Sequence, residues 1–465
     1  MKKFASCCQK GWIISCAVYG VLYGAFYYTA CVRPQFTTIA ALCGAAALAL
    51  LVTAEPTDSK GERRLYGIGW IILMLLALNV RYKVGLVTMA VTLCAIGVRV
   101  LLQKKLSWRR ALGLILTLGV LYGVSVGTTA LYKTEDWQSY QQFNIVRSRF
   151  MDYPVAPYQD LEDVYTALGW DEPLYNMVRS WYFLDERVTE SAFDTIAQAN
   201  LDWFGEKEQV SALRLGGLLN EQFRPAFLVC GLWMVWLLFL MLQRVHYKKD
   251  TWRMTLLAYL PSVCFLLGCV VLLVYFIWQG RAPQRGLDMT MYLSLTPSLL
   301  LLPVHAAPER DHTGRRGTLA ASLLLALGLF ITASMQNPWR LPDHTAQYAV
   351  SDAVEAYCAA HEDQFFIKTS FASVYRPFTI HTREKPHNQL FWGGSSYRSP
   401  IFLHQLQSNG YETFYTENLF DENVRFLSET EPSESMMLYL QSLYPSAQWE
   451  LVDTGEGFQV YRFIR

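Results

Sequence analysis

Apolar residues along this chain are collected into nine separate segments that contain almost no charged side chains. The hydrocarbon core of a bilayer is about 30 Å thick, and a helix needs roughly 17–25 apolar residues to cross it. The segments are Gly11–Cys31, Thr37–Thr53, Leu65–Val80, Val84–Leu102, Ala111–Tyr132, Pro225–Leu242, Met254–Trp278, Thr290–Ala306 and Gly317–Met335. The pattern predicts an α-helical polytopic membrane protein with about nine spans.

Lys and Arg are concentrated on alternate connections between these segments. The connections on one side carry 17 of them, and the short connections on the other side carry 5. Because cytoplasmic loops hold the excess of positive charge, the N-terminus is predicted to lie inside the cell. Both long polar segments, Lys133–Arg224 and Gln336–Arg465, then lie outside. Neither segment contains an Asn-x-Ser/Thr sequon, which fits a bacterial envelope protein. We expect a multi-pass protein of the bacterial cytoplasmic membrane with an extracytoplasmic C-terminal domain.

Four parts follow one another: a membrane domain with five spans (1–132), an outer, mainly helical loop (133–224), a membrane domain with four spans (225–335) and an outer domain (336–465). The last part alternates helical and strand patterns and ends in a hairpin, which predicts a small α/β domain. The helices predicted in the loop are Leu161–Leu168, Pro173–Phe183, Glu190–Trp203 and Glu208–Phe223. Those in the outer domain are Ala346–His361, Ser399–Ser408 and Ser435–Leu443, with strands Gln364–Thr369, Asn423–Ser428, Trp449–Asp453 and Phe458–Phe463.

The composition disfavours several classes of function. The cytoplasmic connections are short and the chain has no Gly-x-x-x-x-Gly-Lys-Ser/Thr element, so no nucleotide site is predicted there. No basic patch indicates nucleic acid, and the spans hold too few ionisable groups for a typical ion-coupled carrier. A group-transfer enzyme of this layout needs a donor at the outer leaflet. A lipid-linked phosphate or sugar is the class that meets this requirement.

The outer connection between the seventh and eighth spans, Gly280-Arg281-Ala282-Pro283-Gln284-Arg285-Gly286, carries two arginines beside a rigid proline. Arg281 and Arg285 are candidate ligands of a phosphate or pyrophosphate, because guanidinium groups bind these anions bidentately. The alternative is that both arginines anchor a short hairpin at the lipid head groups.

The outer loop supplies the candidate catalytic carboxylates. If the segment from Asn144 to Phe150 is helical, Asn144 and Arg147 share a face as candidate substrate-binding residues with Arg149, and Asp152 lies at the helix exit. Asp152 is a candidate general base for an acceptor hydroxyl, and Asp185 with Glu186 is the rival carboxylate pair. For each acid, the alternative is a solvated or capping role.

Trp392-Gly393-Gly394 precedes a predicted helix, and Trp392 is a candidate substrate-binding residue, although a tight turn without a ligand is the alternative. His381, His387 and His404 lack the spacing of metal ligands, so no metal site is predicted. The cofactor is unknown: the acidic loop is compatible with a divalent cation, but nothing in the sequence selects one.

At these residues the chain resembles a group of bacterial polytopic envelope membrane proteins. More remotely, its layout resembles the C-type glycosyltransferases, which have many spans, an outward active site and polyprenyl-phosphate sugar donors. Those enzymes place an acidic catalytic motif in a long first outer loop. Here that connection is Val32–Phe36, without Asp or Glu, so no catalytic residue is carried over.

The resemblance implies a glycosyltransferase-like enzyme that uses a lipid-linked sugar donor at the outer leaflet in cell-surface glycan assembly. The expected partners are the bilayer and the lipid-linked phosphate or sugar. Two alternatives stay open: a non-catalytic scaffold for surface polysaccharide assembly, and a translocator of lipid-linked glycans.

Overall fold

The chain forms two compact units. The computed structural model describes residues 35–54, 59–206, 223–248, 251–278, 283–302, 327–328, 345–369 and 386–465. The first unit, called here the membrane unit, comprises Met1–Tyr132 with Ser211–Leu341; the second, the polar unit, comprises Lys133–Val210 with Pro342–Arg465. The outer loop and the C-terminal segment, which the sequence presented as separate parts, thus belong to one compact body.

Seven helices are described in the membrane unit: α1 (Phe36–Thr53), α2 (Lys60–Val80), α3 (Tyr82–Leu101), α4 (Trp108–Tyr132), α9 (Arg224–Lys248), α10 (Trp252–Trp278) and α11 (Gln284–Leu300). The intervening helices belong to the polar unit: α5 (Glu135–Met151), α6 (Glu162–Ala167), α7 (Glu172–Arg179) and α8 (Glu190–Glu206). Six of the seven, all except α11, are long and apolar enough to cross a membrane. Large apolar side chains on their outer faces, such as Leu112, Leu116 and Val120 of α4, are exposed, which suits contact with lipid tails.

These six helices coincide with six of the nine predicted spans, so the prediction of a polytopic helical membrane protein is confirmed in part. The eighth predicted span corresponds to α11, which has 17 residues. The first predicted span, and all but two residues of the ninth, lie outside the described residues. The count of nine stays a prediction.

Small residues let the helices of the membrane unit approach closely. A Cβ on Gly44 of α1 would stand 2.4 Å from the hydroxyl of Thr88 on α3 and 3.0 Å from Leu293 on α11. At the far end of α1, the guanidinium of Arg99 donates to the carbonyl oxygens of Leu51 at 3.1 Å and Ala54 at 2.5 Å. A positive charge there donates hydrogen bonds to carbonyls that the helix leaves without partners, and it interacts favourably with the negative end of the helix dipole. Both effects explain a buried arginine near the end of a span.

The polar unit is built on a five-stranded mixed sheet in the order β2-β1-β3-β5-β4. Strand β1 lies parallel to β2 and β3, whereas β5 is antiparallel to β3 and β4. The strands are β1 (Phe365–Lys368), β2 (Gln389–Phe391), β3 (Val424–Ser428), β4 (Gln448–Gly455) and β5 (Phe458–Ile464). The helices are α5 (Glu135–Met151), α6 (Glu162–Ala167), α7 (Glu172–Arg179), α8 (Glu190–Glu206), α12 (Thr345–Ala360), α13 (Pro400–Ser408) and α14 (Glu434–Leu443).

Helices cover both faces of this sheet. Successive strand residues point to opposite sides, so each strand contributes apolar side chains to a core on either face. On one face Phe366 packs with Cys358 of α12 and Val460. On the other face Phe365 and Phe426 join a large aromatic core that includes residues of the outer loop. This shared core explains why loop and tail fold as one body.

The predicted helices and strands of the tail are present with nearly the predicted bounds, and the predicted sheet region is confirmed. Strand β2 was missed, because three residues are too few to establish a strand period. The helix predicted over Pro173–Phe183 ends at Arg179. The predicted helix Glu208–Phe223 lies outside the described residues, except for Phe223.

Helix α7 ends early because a Schellman motif closes it. The N–H of Tyr182 donates to the carbonyl of Met177 at 3.0 Å and that of Trp181 to Val178 at 2.9 Å, which is the pattern of this cap. Trp181 occupies the left-handed position, with φ +66°. That conformation costs a residue with a Cβ about 1–2 kcal/mol.

Candidate functional site

Three segments singled out from the sequence meet in the polar unit. Tyr182 forms an antiparallel bridge with Gly393, and the N–H of Phe183 donates to the carbonyl of Trp392 at 3.1 Å. A Cβ on Gly393 would stand 1.6 Å from the carbonyl oxygen of Trp181, so only glycine permits this approach. Helix α5 contacts the first segment through Arg147, which lies over Trp181. It reaches the second at Ser395, whose carbonyl accepts from Tyr140 and Asn144.

Asp185 is the centre of a buried hydrogen-bond network. Its Oδ1 accepts from the backbone N–H and Nε of Arg187 at 2.8 and 3.0 Å, and its Oδ2 accepts from Nη2 of Arg187 at 2.7 Å. The phenol of Tyr439 donates to Oδ2 at 2.5 Å. The Tyr439 hydroxyl also bonds that of Thr416 at 2.7 Å, and Thr416 bonds Tyr182 at 2.8 Å. The network joins the outer loop to the tail.

This geometry does not favour the predicted catalytic role of Asp185. Burial alone raises its pKa, but the hydrogen bonds from Arg187 and Tyr439 and the charge of Arg187 outweigh burial and hold the pKa below its usual range. A general base needs a pKa near the working pH and access to the substrate proton. Asp185 is 3% exposed and already accepts four hydrogen bonds. We assign it a structural role.

The two other predicted carboxylates are nearer the surface. Glu186 is exposed, and Asp152 is half-buried. Asp152 forms the C-cap of α5, where its N–H donates to the carbonyl of Ser148 at 2.9 Å. Because the Asp152 carboxylate is not enclosed as that of Asp185 is, the general-base prediction passes to Asp152, with Glu186 as the alternative.

Asn144 and Arg147 share a face of α5, as their spacing predicts, but they bind each other. The Asn144 amide oxygen accepts from Nε and Nη2 of Arg147 at 3.0 and 2.5 Å. Arg147 is 5% exposed, and its guanidinium lies 4.9 Å from the ring centroid of Trp181. A substrate has little access to this guanidinium, so Arg147 is better explained as a residue that positions the Trp181 indole.

Trp392 is half-buried between aromatic side chains. Its ring lies 5.5 Å from that of Tyr182 and 5.4 Å from that of Phe426. Gly394 adopts φ +85°, which suits a tight turn. The geometry therefore favours the alternative in which Trp392 shapes a turn and packs against the sheet.

Arg149 lines an open polar cleft of about 690 Å³ between α5 and the start of α8. Its Nη1 lies 2.8 Å from Oδ1 of Asp194, and both side chains are more than half exposed. Arg398 lies on the tail side of this cleft, in a left-handed conformation with φ +62°. The complete lining is Gln142, Ile145, Val146, Arg149, Thr189, Glu190, Ser191, Asp194 and Arg398. Of the predicted substrate-binding residues that the structure describes, Arg149 is the one in this cleft.

In the membrane unit, Arg285 and a second arginine, Arg81, both lie near the ring of Phe36. The guanidinium of Arg285 is 5.9 Å and that of Arg81 is 4.7 Å from the ring centroid of Phe36. Phe36 begins α1, Arg81 joins α2 to α3, and Arg285 lies in the first turn of α11, so all three occupy one end of the helix bundle. The predicted partner Arg281 lies outside the described residues.

Within the described residues, no group of three or more His, Cys, Asp or Glu side chains is placed to hold a metal ion. No protein-family model, curated protein or solved structure matches this chain.

Sequence reasoning overlooked Tyr439, Thr416 and Arg81. Tyr439 and Asp185 are 254 positions apart, and no local pattern links them. Arg81 carried a usable signal, because it is one of only five Lys and Arg residues on the short connections predicted to lie outside, and it therefore departs from the charge bias.

Proposed function

We propose that this chain is an integral membrane protein of cell-surface glycan assembly that binds a lipid-linked phosphate at the outer end of its membrane unit. The observation that carries the proposal is the pair Arg81 and Arg285, which flank Phe36 at one end of the bundle. The charge bias along the chain predicts that this end faces outward, which supports the proposal.

The chemistry of the pair suits a phosphate monoester or pyrophosphate at head-group depth. A guanidinium presents a planar fork of N–H donors that matches phosphate oxygens. Two such groups held around one aromatic ring lose less side-chain entropy on binding than freely moving arginines do. A polyprenyl tail would remain in the hydrocarbon region beside the exposed apolar faces.

The reaction that such binding would serve is glycosyl transfer. The bond between the sugar anomeric carbon and the donor phosphate breaks, an acceptor hydroxyl oxygen bonds to that carbon, and the lipid phosphate leaves. The acceptor hydroxyl gives up its proton to the leaving phosphate oxygen or to a general base, and of the predicted acids Asp185 is already saturated with hydrogen bonds.

The test is binding of polyprenyl phosphate to the full-length protein in phosphatidylcholine nanodiscs. We expect Arg285→Gln and Arg81→Gln each to weaken binding roughly tenfold or more, because each removes charge-assisted hydrogen bonds. The control is Arg109→Gln, an exposed arginine in the first turn of α4.

Polyprenol without phosphate and nanodiscs containing phosphatidylglycerol separate the possible sources of affinity. Equal affinity for polyprenol, or unchanged affinity in both arginine variants, would refute the phosphate site. Displacement of the probe by phosphatidylglycerol at equal concentration would identify the site as a general head-group anchor. A reporter fused after Arg465 that faces the cytosol would overturn the orientation.

A non-catalytic scaffold is the second candidate, and the saturated Asp185 network favours it. In this network Asp185, one of the predicted catalytic acids, has a structural role and joins the loop to the tail. Asp152→Asn separates the candidates: an enzyme loses glycan product while remaining folded and inserted, whereas a scaffold retains product formation in cells.

A further inference from the structure

Trp181 occupies a backbone position that normally selects glycine. Three helices of the polar unit end in the same Schellman pattern of hydrogen bonds, in which the residue after the cap is left-handed. At the ends of α6 and α13 that residue is Gly169 or Gly410, with φ +72° and +83°. At the end of α7 it is Trp181. The backbone alone gives no reason for a tryptophan there, so the reason lies in its side chain.

The indole of Trp181 is held in place and remains open to solvent. The guanidinium of Arg147 lies over the ring, 4.9 Å from its centroid, and Phe183 packs at 6.0 Å. The side chain is nevertheless 37% exposed. The indole is therefore held by Arg147 and Phe183 but is still partly exposed to solvent. Because the ring is already fixed in place, it loses little conformational entropy when a ligand binds.

Neutral polar groups continue from this ring along α5. Asn144, which bonds Arg147, also donates to the carbonyl of Ser395 at 3.4 Å. Tyr140 donates to the same carbonyl at 2.5 Å, and its ring lies 5.5 Å from that of Trp137. Because α5 rises 1.5 Å per residue, Trp137 to Asn144 spans about 10 Å of the helix surface.

We propose that this stripe, defined by Trp137, Tyr140, Asn144, Trp181 and Ser395, binds a neutral oligosaccharide. Sugar rings offer an apolar face that stacks on aromatic side chains, and their hydroxyls bond neutral amides, hydroxyls and carbonyls. Arg147, a charged side chain that bonds Asn144 of the stripe, is buried beneath the indole. The stripe lies wholly in the polar unit, and its ligand is a glycan chain, so the proposal stands independently of phosphate binding by the membrane unit.

The experiment is isothermal titration of full-length protein in phosphatidylcholine nanodiscs with maltohexaose, cellohexaose and chitohexaose. For the hexasaccharide that binds most tightly, Trp181→Gly is expected to weaken affinity roughly tenfold, the loss of about one stacked ring. Trp181→Tyr should retain most of the affinity. Trp137→Ala, on the surface of α5 and without backbone strain, should also weaken it.

The control is Trp449→Leu, which alters a partly buried tryptophan of β4 outside the stripe and should leave affinity unchanged. No binding of any of the three hexasaccharides, or equal binding by wild type, Trp181→Gly and Trp137→Ala, overturns the proposal. Brominated phosphatidylcholine provides a second measurement. If it quenches more emission in wild type than in Trp181→Gly, the indole is a membrane anchor and the proposal is likewise overturned.

Discussion

Replacing Asp185 by asparagine tests whether this carboxylate is structural or catalytic. The substitution keeps the shape of the side chain but removes the charge that faces Arg187 and the strong acceptor of the Tyr439 hydroxyl. Breaking a buried ion pair costs about 3–5 kcal/mol. The Arg187 side chain is 25% exposed, so water compensates in part and we expect about 3 kcal/mol.

For a body of the size of the polar unit, that loss corresponds to a fall of about 6–12 °C in the thermal midpoint. The assay is thermal unfolding of the full-length protein in detergent, followed by tryptophan emission. Trp170 is a suitable reporter, because it is buried and its indole N–H donates to the carbonyl of Arg187 at 3.0 Å. Tyr439→Phe, which removes one hydrogen bond to the carboxylate, should show a smaller fall.

Asp194→Asn is the matched control, since it breaks an ion pair of the same type and length whose side chains are 52% and 61% exposed. Exposed pairs contribute little, so its midpoint should fall by less than about 2 °C. If Asp185→Asn has the same thermal midpoint as wild type yet forms no glycan product, the structural assignment is wrong and Asp185 has a catalytic role.

The same variant has a distinct dependence on pH. The folded state lowers the pKa of Asp185, so its contribution to stability is complete above the unfolded value of about 3.9 and is lost as the pH falls below it. The gap in midpoint between wild type and Asp185→Asn should therefore be constant from pH 5 to about 8 and narrow below about pH 4. A gap that widens on acidification would contradict this assignment.

Two further predictions concern single residues of the polar unit. Gly393→Ala should lower the thermal midpoint by more than about 6 °C, because its Cβ would meet the Trp181 carbonyl at 1.6 Å. Gly394→Ala, where a Cβ meets open space, should lower the midpoint by less. An equal fall in both variants would contradict the close approach of Gly393 to Trp181. Asn388→Ala removes donations to three carbonyls at 2.8–3.0 Å, that of Cys358 in the last turn of α12 and those of His361 and Gln364 just beyond it, and should cost about 1–3 kcal/mol. Amide hydrogen exchange should then accelerate at the end of α12, and unchanged protection there would refute the role of Asn388 as a cap.

Short-range patterns accounted for much of what the structure contains. Six of the nine apolar segments coincide with the six long helices, and the tail elements appear nearly where their periodicity placed them. The pairing of Asn144 with Arg147 also follows from local spacing, since residues three apart face the same side of a helix. These features depend on residues within a few turns of one another.

The candidate site was less predictable, because burial decided the roles of its residues. Asp185 and Asp152 look alike in the sequence, yet one is enclosed by Arg187 and Tyr439 and the other caps a helix. Arg147 has the composition of a ligand-binding residue but points into an aromatic core. No property of a single segment distinguishes these outcomes.

The sequence by itself determined the apolar spans, the predicted sidedness and the type of most elements, because hydropathy, charge and period are local properties of the chain. Only the tertiary structure decided that the outer loop and the tail share one core, that the sheet order is β2-β1-β3-β5-β4, and that Arg81 lies with Arg285 around Phe36. Those arrangements depend on contacts between residues as many as 255 positions apart. Such contacts form where buried surfaces and hydrogen bonds complement one another, and no local pattern records which segments will meet.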